Sequence, residues 1–423
     1  MQDAGPNPTS TRHGFEAYLP KPREERAGVA LALSGGGYRA ALFHLGALRR
    51  LNELGVLSKV DTITSVSGGS IFAAQLASHL AANPAAWPEA GRPVAGWEEG
   101  VAEPMRAFTR KNIRTWPILS VLHPRNWLNR NAGIEALAKR YSEGPAPGRL
   151  ADLRERPRFV FCATDVRFRT QWIFDAGARR IGEDPAGYGP AGPGWTLAQA
   201  VAASSCVPGA FVPLRVRTGI DGLADGTYDG EDRAELVKGI DLSDGGVYDN
   251  LGLEPVWRDH AVVLVSDAAP SFRPEPNVGR LWRALRYPVT LLEQATDVRK
   301  RWLISSFIRN ELEGAFWSIN SLPTHYEHDP KAYDPPVHAY PDRLIAAAIS
   351  QVRIDLDAFS EGEAAVLENH GYLIAEIAVR RHARHLVEQG AARPEPPHPV
   401  WMDPDRAAQE LTDSHRTKAF ARR

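Results

Sequence analysis

The sequence predicts an α/β fold: a central, mostly parallel sheet flanked by helices, with a helical, Trp-rich insertion and additional C-terminal helices. Two observations carry this. Short apolar runs of strand length, GVALAL (28–33) and the stretch from Val60 to Val66, each run into a glycine-rich turn and then a helical period. Further strand-like runs follow at RFVFCATD (158–165), RTQWIFD (169–175) and AVVLVSD (261–267). Strands alternating with helices favour parallel pairing, because a parallel neighbour is reached through a crossover that is usually helical.

Each element has its own signal. GVALAL is apolar throughout, as expected of a strand covered on both faces. From Tyr38 to Leu54 the period is helical, with Ala41, Leu45, Leu48 and Leu51 on one broad face and Gly55 placed to end it. After Val66 the chain reads SGG and then IFAAQLASHL, again turn and helix. Residues 83 to about 150 are rich in Pro, Gly and Trp and read as an insertion or cap. Arg215 to Asp241 carries Gly-Asp turns and reads as an irregular hairpin. Gly279 to Ile319 and Asp342 to Gln389 have helical patterns, and the polar, Pro-rich end reads as a loosely held tail. The expected organisation is an N-terminal arm (1–27), a main α/β domain (28–390) and a polar tail (391–423).

Bulk properties narrow the function. Lysine plus arginine total 50 against 51 aspartate plus glutamate, so no global field draws the 423-residue chain to nucleic acid. No run approaches the roughly 18 apolar residues of a spanning helix. The first 28 residues hold no apolar run of signal-peptide length. The two cysteines, Cys162 and Cys206, make no disulfide framework and suit a reducing compartment. The expectation is a cytoplasmic protein, peripheral at the membrane if it meets one.

The stretch Ser65-Val66-Ser67-Gly68-Gly69 joins a strand to a helix through small residues. In such an elbow the central hydroxyl points outward, and the helix N-terminus behind it favours negative charge. Ser67 is therefore a candidate nucleophile, although Ser65 stands where G-x-S-x-G has its first glycine. The earlier turn, SGGGYR (34–39), leaves backbone N–H groups open to a ligand oxygen, an oxyanion-type nest with Arg39 nearby. The same residues fit G-x-G-x-x-A, a dinucleotide fingerprint, but the acid that fingerprint needs should end the next strand. Asp61 lies near that strand's start instead, so the nucleotide reading ranks lower. No histidine motif supplies a base for Ser67. His44 reads as packed or solvated, and His260, His325 and His370 lie in no recognisable pattern. The conspicuous acid is Asp244, in LSDGGVYDNLGLEPV.

SGGGYR, SVSGGS about 30 residues on and SDGG far downstream resemble the patatin-like phospholipases. Their marks are a glycine-rich loop ending in Arg or Lys, G-x-S-x-G, and D-G-G or D-G-A. ATD (163–165), AASSCVPGAFVPL (202–214) and DAFSEGEAAVLENHGY (357–372) look similar too, extending the likeness over about residues 28 to 380. The resemblance implies a Ser–Asp dyad without histidine: Ser67 as nucleophile, Asp244 as its base, and Gly35, Gly36, Gly37 and Arg39 holding the oxyanion. It implies a phospholipid or other acyl-lipid ester as substrate and no cofactor or metal. The alternatives are a nucleotide-binding enzyme using the glycine loop and a non-catalytic lipid-binding member of the family.

Residues 108–130 interleave Arg110, Lys111 and Arg114 with Trp116 and Trp127, a mixture that favours lipid headgroups. Two readings fit: a lid or interfacial anchor, and a cap whose aromatics pack on the catalytic domain. Oligomeric state leaves no mark in the sequence.

Overall fold

The computed structural model describes residues 19–120, 123, 129–191, 194–216, 222–269, 280–326, 338–412 and 414, with backbone alone for 280–289. Ten strands form one sheet: β1 (Val29–Leu33), β2 (Val60–Val66), β3 (Arg158–Asp165), β4 (Thr170–Asp175), β5 (Arg180–Glu183), β6 (Gly187–Pro190), β7 (Leu214–Val216), β8 (Ile240–Asp244), β9 (Val262–Asp267) and β10 (Glu313–Ser318). The run β10-β9-β1-β2-β3 is parallel throughout. Beyond β3 the chain folds back on itself, and β4, β5 and β6 extend the sheet antiparallel. β8 also pairs antiparallel with β3 and carries β7 at its outer side.

The helices are α1 (Gly37–Glu53), α2 (Gly68–Ala82), α3 (Glu103–Thr109), α4 (Thr115–Ser120), α5 (Ala132–Ser142), α6 (Leu197–Ser204), α7 (Arg233–Leu236), α8 (Gly246–Asp249), α9 (Arg280–Ile308), α10 (Asp342–Ala347), α11 (Glu361–His382) and α12 (Pro404–Leu411). None among the described residues is long and apolar enough to cross a membrane. The strands alternate between two cores, as a period of two requires. Leu31 and Leu33 face the main core with residues of α1, α2 and α11, while Ala32, Val263 and Val265 face a smaller one with Leu303 of α9. The sheet is thus covered on both sides, which is why β1 is uniformly apolar.

α1 is more enclosed than its single predicted face suggests: Arg39, His44 and Arg50 are buried along with its apolar residues. It lies against α11 at backbone contact distance. A Cβ at Gly46 would come within 1.8 Å of the Glu368 carbonyl oxygen, and one at Gly371 within 2.0 Å of that of Phe43. Only glycine permits that approach.

Three expectations change. Gly279–Ile319 is not helical throughout: β10 takes Glu313–Ser318 to the sheet edge, where a Cβ on Gly314 would strike the Val263 carbonyl oxygen at 1.9 Å. Asp342–Gln389 is likewise interrupted, with an irregular segment between Val352 and Ser360. The chain after Arg393 is held, not loose, as far as Thr412. Asp403 caps α12 through the Asp405 and Arg406 N–H groups, and Ala407 and Leu411 are buried in the main core. The sparse apolar positions of that segment share one helical face, which composition alone conceals. Residues 83–150 contribute Val94, Trp97, Val101, Met105 and Phe108 to the main core. Of the N-terminal arm, 1–18 lie outside the described residues.

Candidate active site

Strand register brings the two candidate reacting residues together. β2 pairs with the first part of β3, and its last residue, Val66, sits opposite Cys162. There β2 ends in the elbow. The next residue of β3, Ala163, is paired with Asp244, the last residue of β8. Ser67 and Asp244 therefore meet where one strand leaves the edge of β3 and another joins it. The Ser67 hydroxyl is near enough to Asp244 to favour its charged form.

Ser67 has φ 49° and ψ −115°, a conformation unfavourable for a residue with a side chain. A hydroxyl network holds it. The Ser67 N–H donates to Ser204 Oγ (2.9 Å), which donates to the Cys162 carbonyl (2.7 Å). Ser70 Oγ lies 2.8 Å from Ser204 Oγ and donates to Ser65 Oγ (3.0 Å). Ser65, which departs from the glycine pattern, is thus an acceptor within the scaffold of the elbow. Gly68 and Gly69 are needed for space: a Cβ on either would meet the carbonyl oxygens of Gly37 (2.1 Å) or Leu33 (2.5 Å).

The glycine loop divides its labour. The Gly35 N–H is taken by the Asn250 carbonyl (3.1 Å), and Tyr38 N–H by that of Asp355 (2.9 Å). Gly36 and Gly37, with φ 141° and 59°, line the cavity beside Ser67, and among the described residues their N–H groups have no protein acceptor. Arg39 points away. Its guanidinium donates to the carbonyls of Val352 (2.9 Å) and Ala268 (2.6 Å), tying the loop down. Two of the four residues expected to hold an oxyanion, Gly35 and Arg39, are therefore engaged in building the loop, because its tight turn needs partners of its own.

Burial pushes the Asp244 carboxyl up to about 6, against the downward pull of the Gly246 N–H and the Ser67 hydroxyl. The Gly246 bond to Oδ1 is 2.8 Å, and Thr164 Oγ1 donates to the Asp244 carbonyl (2.8 Å). Both residues open into a cavity of about 760 Å³ whose walls include Val207, Phe211, Leu292 and Ile354. It lies at the carboxyl ends of β1, β2 and β9, where open α/β sheets place their ligands. A protonatable carboxylate, a hydroxyl, two free amide donors and an apolar cleft are the parts needed for acyl transfer to serine.

A family model described as patatin-like phospholipase matches residues 31–257, more than half of the chain. The chain belongs to that family. Similar solved structures include human GIVD cytosolic phospholipase A2, at 12% identity and a TM-score of 0.43, over 93% of this chain and 63% of that one. VipD from Legionella pneumophila is another, at 15% identity and a TM-score of 0.35, over 86% and 68%. The chain thus spans less than two thirds of the human protein's length. No curated protein matches it.

The remaining residues singled out by sequence sort cleanly in this patatin-like domain. His44 is buried between Ser266 Oγ (2.8 Å) and the Ser34 carbonyl (3.0 Å), and burial lowers it to about 4. His260 and His370 are also buried, and no described histidine lines the cavity. Asp61 accepts the Val29 N–H (2.9 Å) at the opposite end of β1 from the glycine loop, so it is no ribose ligand there. Arg114 lines the cavity but is paired with Asp355 and Asp357. Arg110 and Lys111 are exposed, Trp116 is 60% exposed, and Trp127 lies outside the described residues. Sequence reasoning missed Ser204, Asn250 and the 352–360 segment. The first two lie within or beside stretches already marked by family likeness; the third carried no signal beyond its partial overlap with 357–372.

Proposed function

We propose that the chain is a lipid acyl hydrolase that cleaves carboxylic esters through Ser67 and Asp244. The reading is supported by the convergence of β2 and β8 on adjacent residues of β3, which brings Ser67 beside Asp244. Ser67 Oγ attacks the acyl carbonyl carbon as its proton moves to Asp244. Gly36 and Gly37 N–H groups receive the negative charge on the former carbonyl oxygen. The intermediate then collapses: the carbon–oxygen bond to the alcohol breaks, and the alcohol departs with the proton held by Asp244. Water repeats the sequence on the acyl-serine, giving up a proton to Asp244 and releasing the fatty acid as Ser67 is reprotonated. A carboxylate near 6 is a better base than an ordinary one, and the fixed amides offset what base strength does not supply.

The apolar walls suit acyl chains of a phospholipid or related ester. Val207 and Ile354, at 43% and 45% exposed, stand on the cavity rim, and Trp116 follows the rim residue Arg114. These residues would rest on a lipid surface while the ester descends to Ser67, with α4 as the interfacial element in place of a wholly packed cap.

The test is labelling by a fluorophosphonate followed by peptide mass spectrometry. One adduct on Ser67, absent in Ser67→Ala and strongly reduced in Asp244→Asn, is expected. Nucleotide binding without labelling would favour the glycine-loop alternative, and lipid binding with neither would favour a non-catalytic member.

A further inference from the structure

A second cavity, of about 470 Å³, opens at the other end of β8 from Asp244. It shares no wall with the first and is lined by Arg130, Arg167, Arg215, Glu235, Lys238 and Gly239. The arginines are arranged, not scattered. Arg167 Nε reaches Asp241 Oδ2 (3.0 Å), while Arg215 Nη1 reaches both oxygens of the same carboxylate (3.0 and 2.9 Å). Two guanidinium groups sharing one carboxylate retain a unit of positive charge. The pose of Arg215 is fixed further: a Cβ at Gly239 would stand 2.6 Å from its Nε, so glycine leaves it room.

Arg130 is brought in by its neighbour. Asn131 accepts the Arg215 N–H and donates to the Arg215 carbonyl, both at 2.9 Å, which staples the start of α5 to β7. Among the described residues neither Arg130 nor Lys238 has an acidic partner. Four cations thus face two carboxylates, Glu235 and Asp241, an excess of two positive charges. The acids beneath do not remove it in full: burial, then Asp165, raises Glu183 to about 10, and burial raises Asp165 to about 6.

We propose that this pocket binds a phosphoryl group, either on a lipid headgroup or on a soluble phosphate. A phosphoryl anion complements the positive charge that remains, and planar guanidinium forks with an adjacent ammonium match its oxygens. The pocket stands apart from the ester-cleaving site and does not rest on the role given to Ser67.

Calorimetric titration of the full chain with inorganic phosphate, and co-sedimentation with phosphatidylcholine vesicles with and without phosphatidic acid, test this. The variant is Arg130→Gln/Lys238→Gln, which leaves the Arg167–Asp241–Arg215 cluster intact; Arg215→Lys is the second, keeping charge without the fork. Affinity should fall about tenfold for each lost charged contact. Binding to both probes, or to either alone, with loss in the variants supports the pocket and assigns its source as shared, lipid-borne or soluble. Failure of wild type to bind either probe overturns the proposal. So does undiminished binding in both variants, or binding that disappears in Ser67→Ala.

Discussion

Ser70 donates its hydroxyl to Ser65 across 3.0 Å, directly beneath the elbow that carries Ser67. Ser65 occupies the position of the first glycine of G-x-S-x-G, yet its hydroxyl is buried and used. Replacing it by glycine removes an acceptor and loosens the end of β2. Ser65→Gly should lower stability by about 1–2 kcal/mol while leaving ester hydrolysis within a few-fold. Denaturant midpoints beside hydrolysis rates check this; a rise in stability would contradict the scaffold role.

The backbone of Ser67 is strained at φ 49°. Glycine relieves that strain and alanine does not. Both Ser67→Gly and Ser67→Ala should be inactive, with the glycine variant more stable than the alanine variant by about 1 kcal/mol. Parallel thermal melts decide it.

Gly68 lies under the glycine loop, where a Cβ would sit 2.1 Å from the Gly37 oxygen and 2.7 Å from its nitrogen. Gly68→Ala must displace one of the two amides beside Ser67. The expected result is a fall in kcat of about 100-fold or more, with fluorophosphonate labelling slowed to match. Unchanged kinetics would remove Gly37 from the oxyanion assignment.

Asp244 is an acid whose folded-state value is raised to about 6 by burial. Its charged form therefore weakens the fold above that value, and protonation on acidification through 6 toward 4 relieves the penalty. Asp244→Asn should abolish turnover yet raise stability at neutral pH, by up to about 3 kcal/mol. In the wild type kcat/KM should decline below about pH 6 with the loss of one ionisation, since the base must be charged to accept the proton. A profile flat to pH 4, or an Asn variant less stable at neutral pH, would argue against this electrostatic picture.

Much of this site was legible because its chemistry needs unusual local sequence. Glycines at 36, 37, 68 and 245 mark places where backbones or a ligand approach closely, and few other residues would serve. The parallel centre of the sheet was legible because strands covered on both faces read as unbroken apolar runs. Distribution of function among neighbouring glycines was not legible: Gly35 and Gly36 look alike until the Asn250 carbonyl is seen to claim one of them. Nor was β10, whose six residues follow directly on a long helical pattern. The irregular segment around Asp355 stayed hidden for a related reason. Its hold on the glycine loop is through the main-chain carbonyls of Val352 and Asp355, which carry no residue-type signature.

The contact of Gly46 and Gly371 has a reach beyond packing. Residues 31–257 hold Ser67, Asp244 and the glycine loop, but the rod that follows this loop leans on a partner rod from far outside that stretch. A single methyl added at position 371 would wedge the two apart and tip the loop, poisoning turnover from a place no substrate ever visits. Motif and buttress thus act as one mechanical unit, and the fidelity of the first is set by the second.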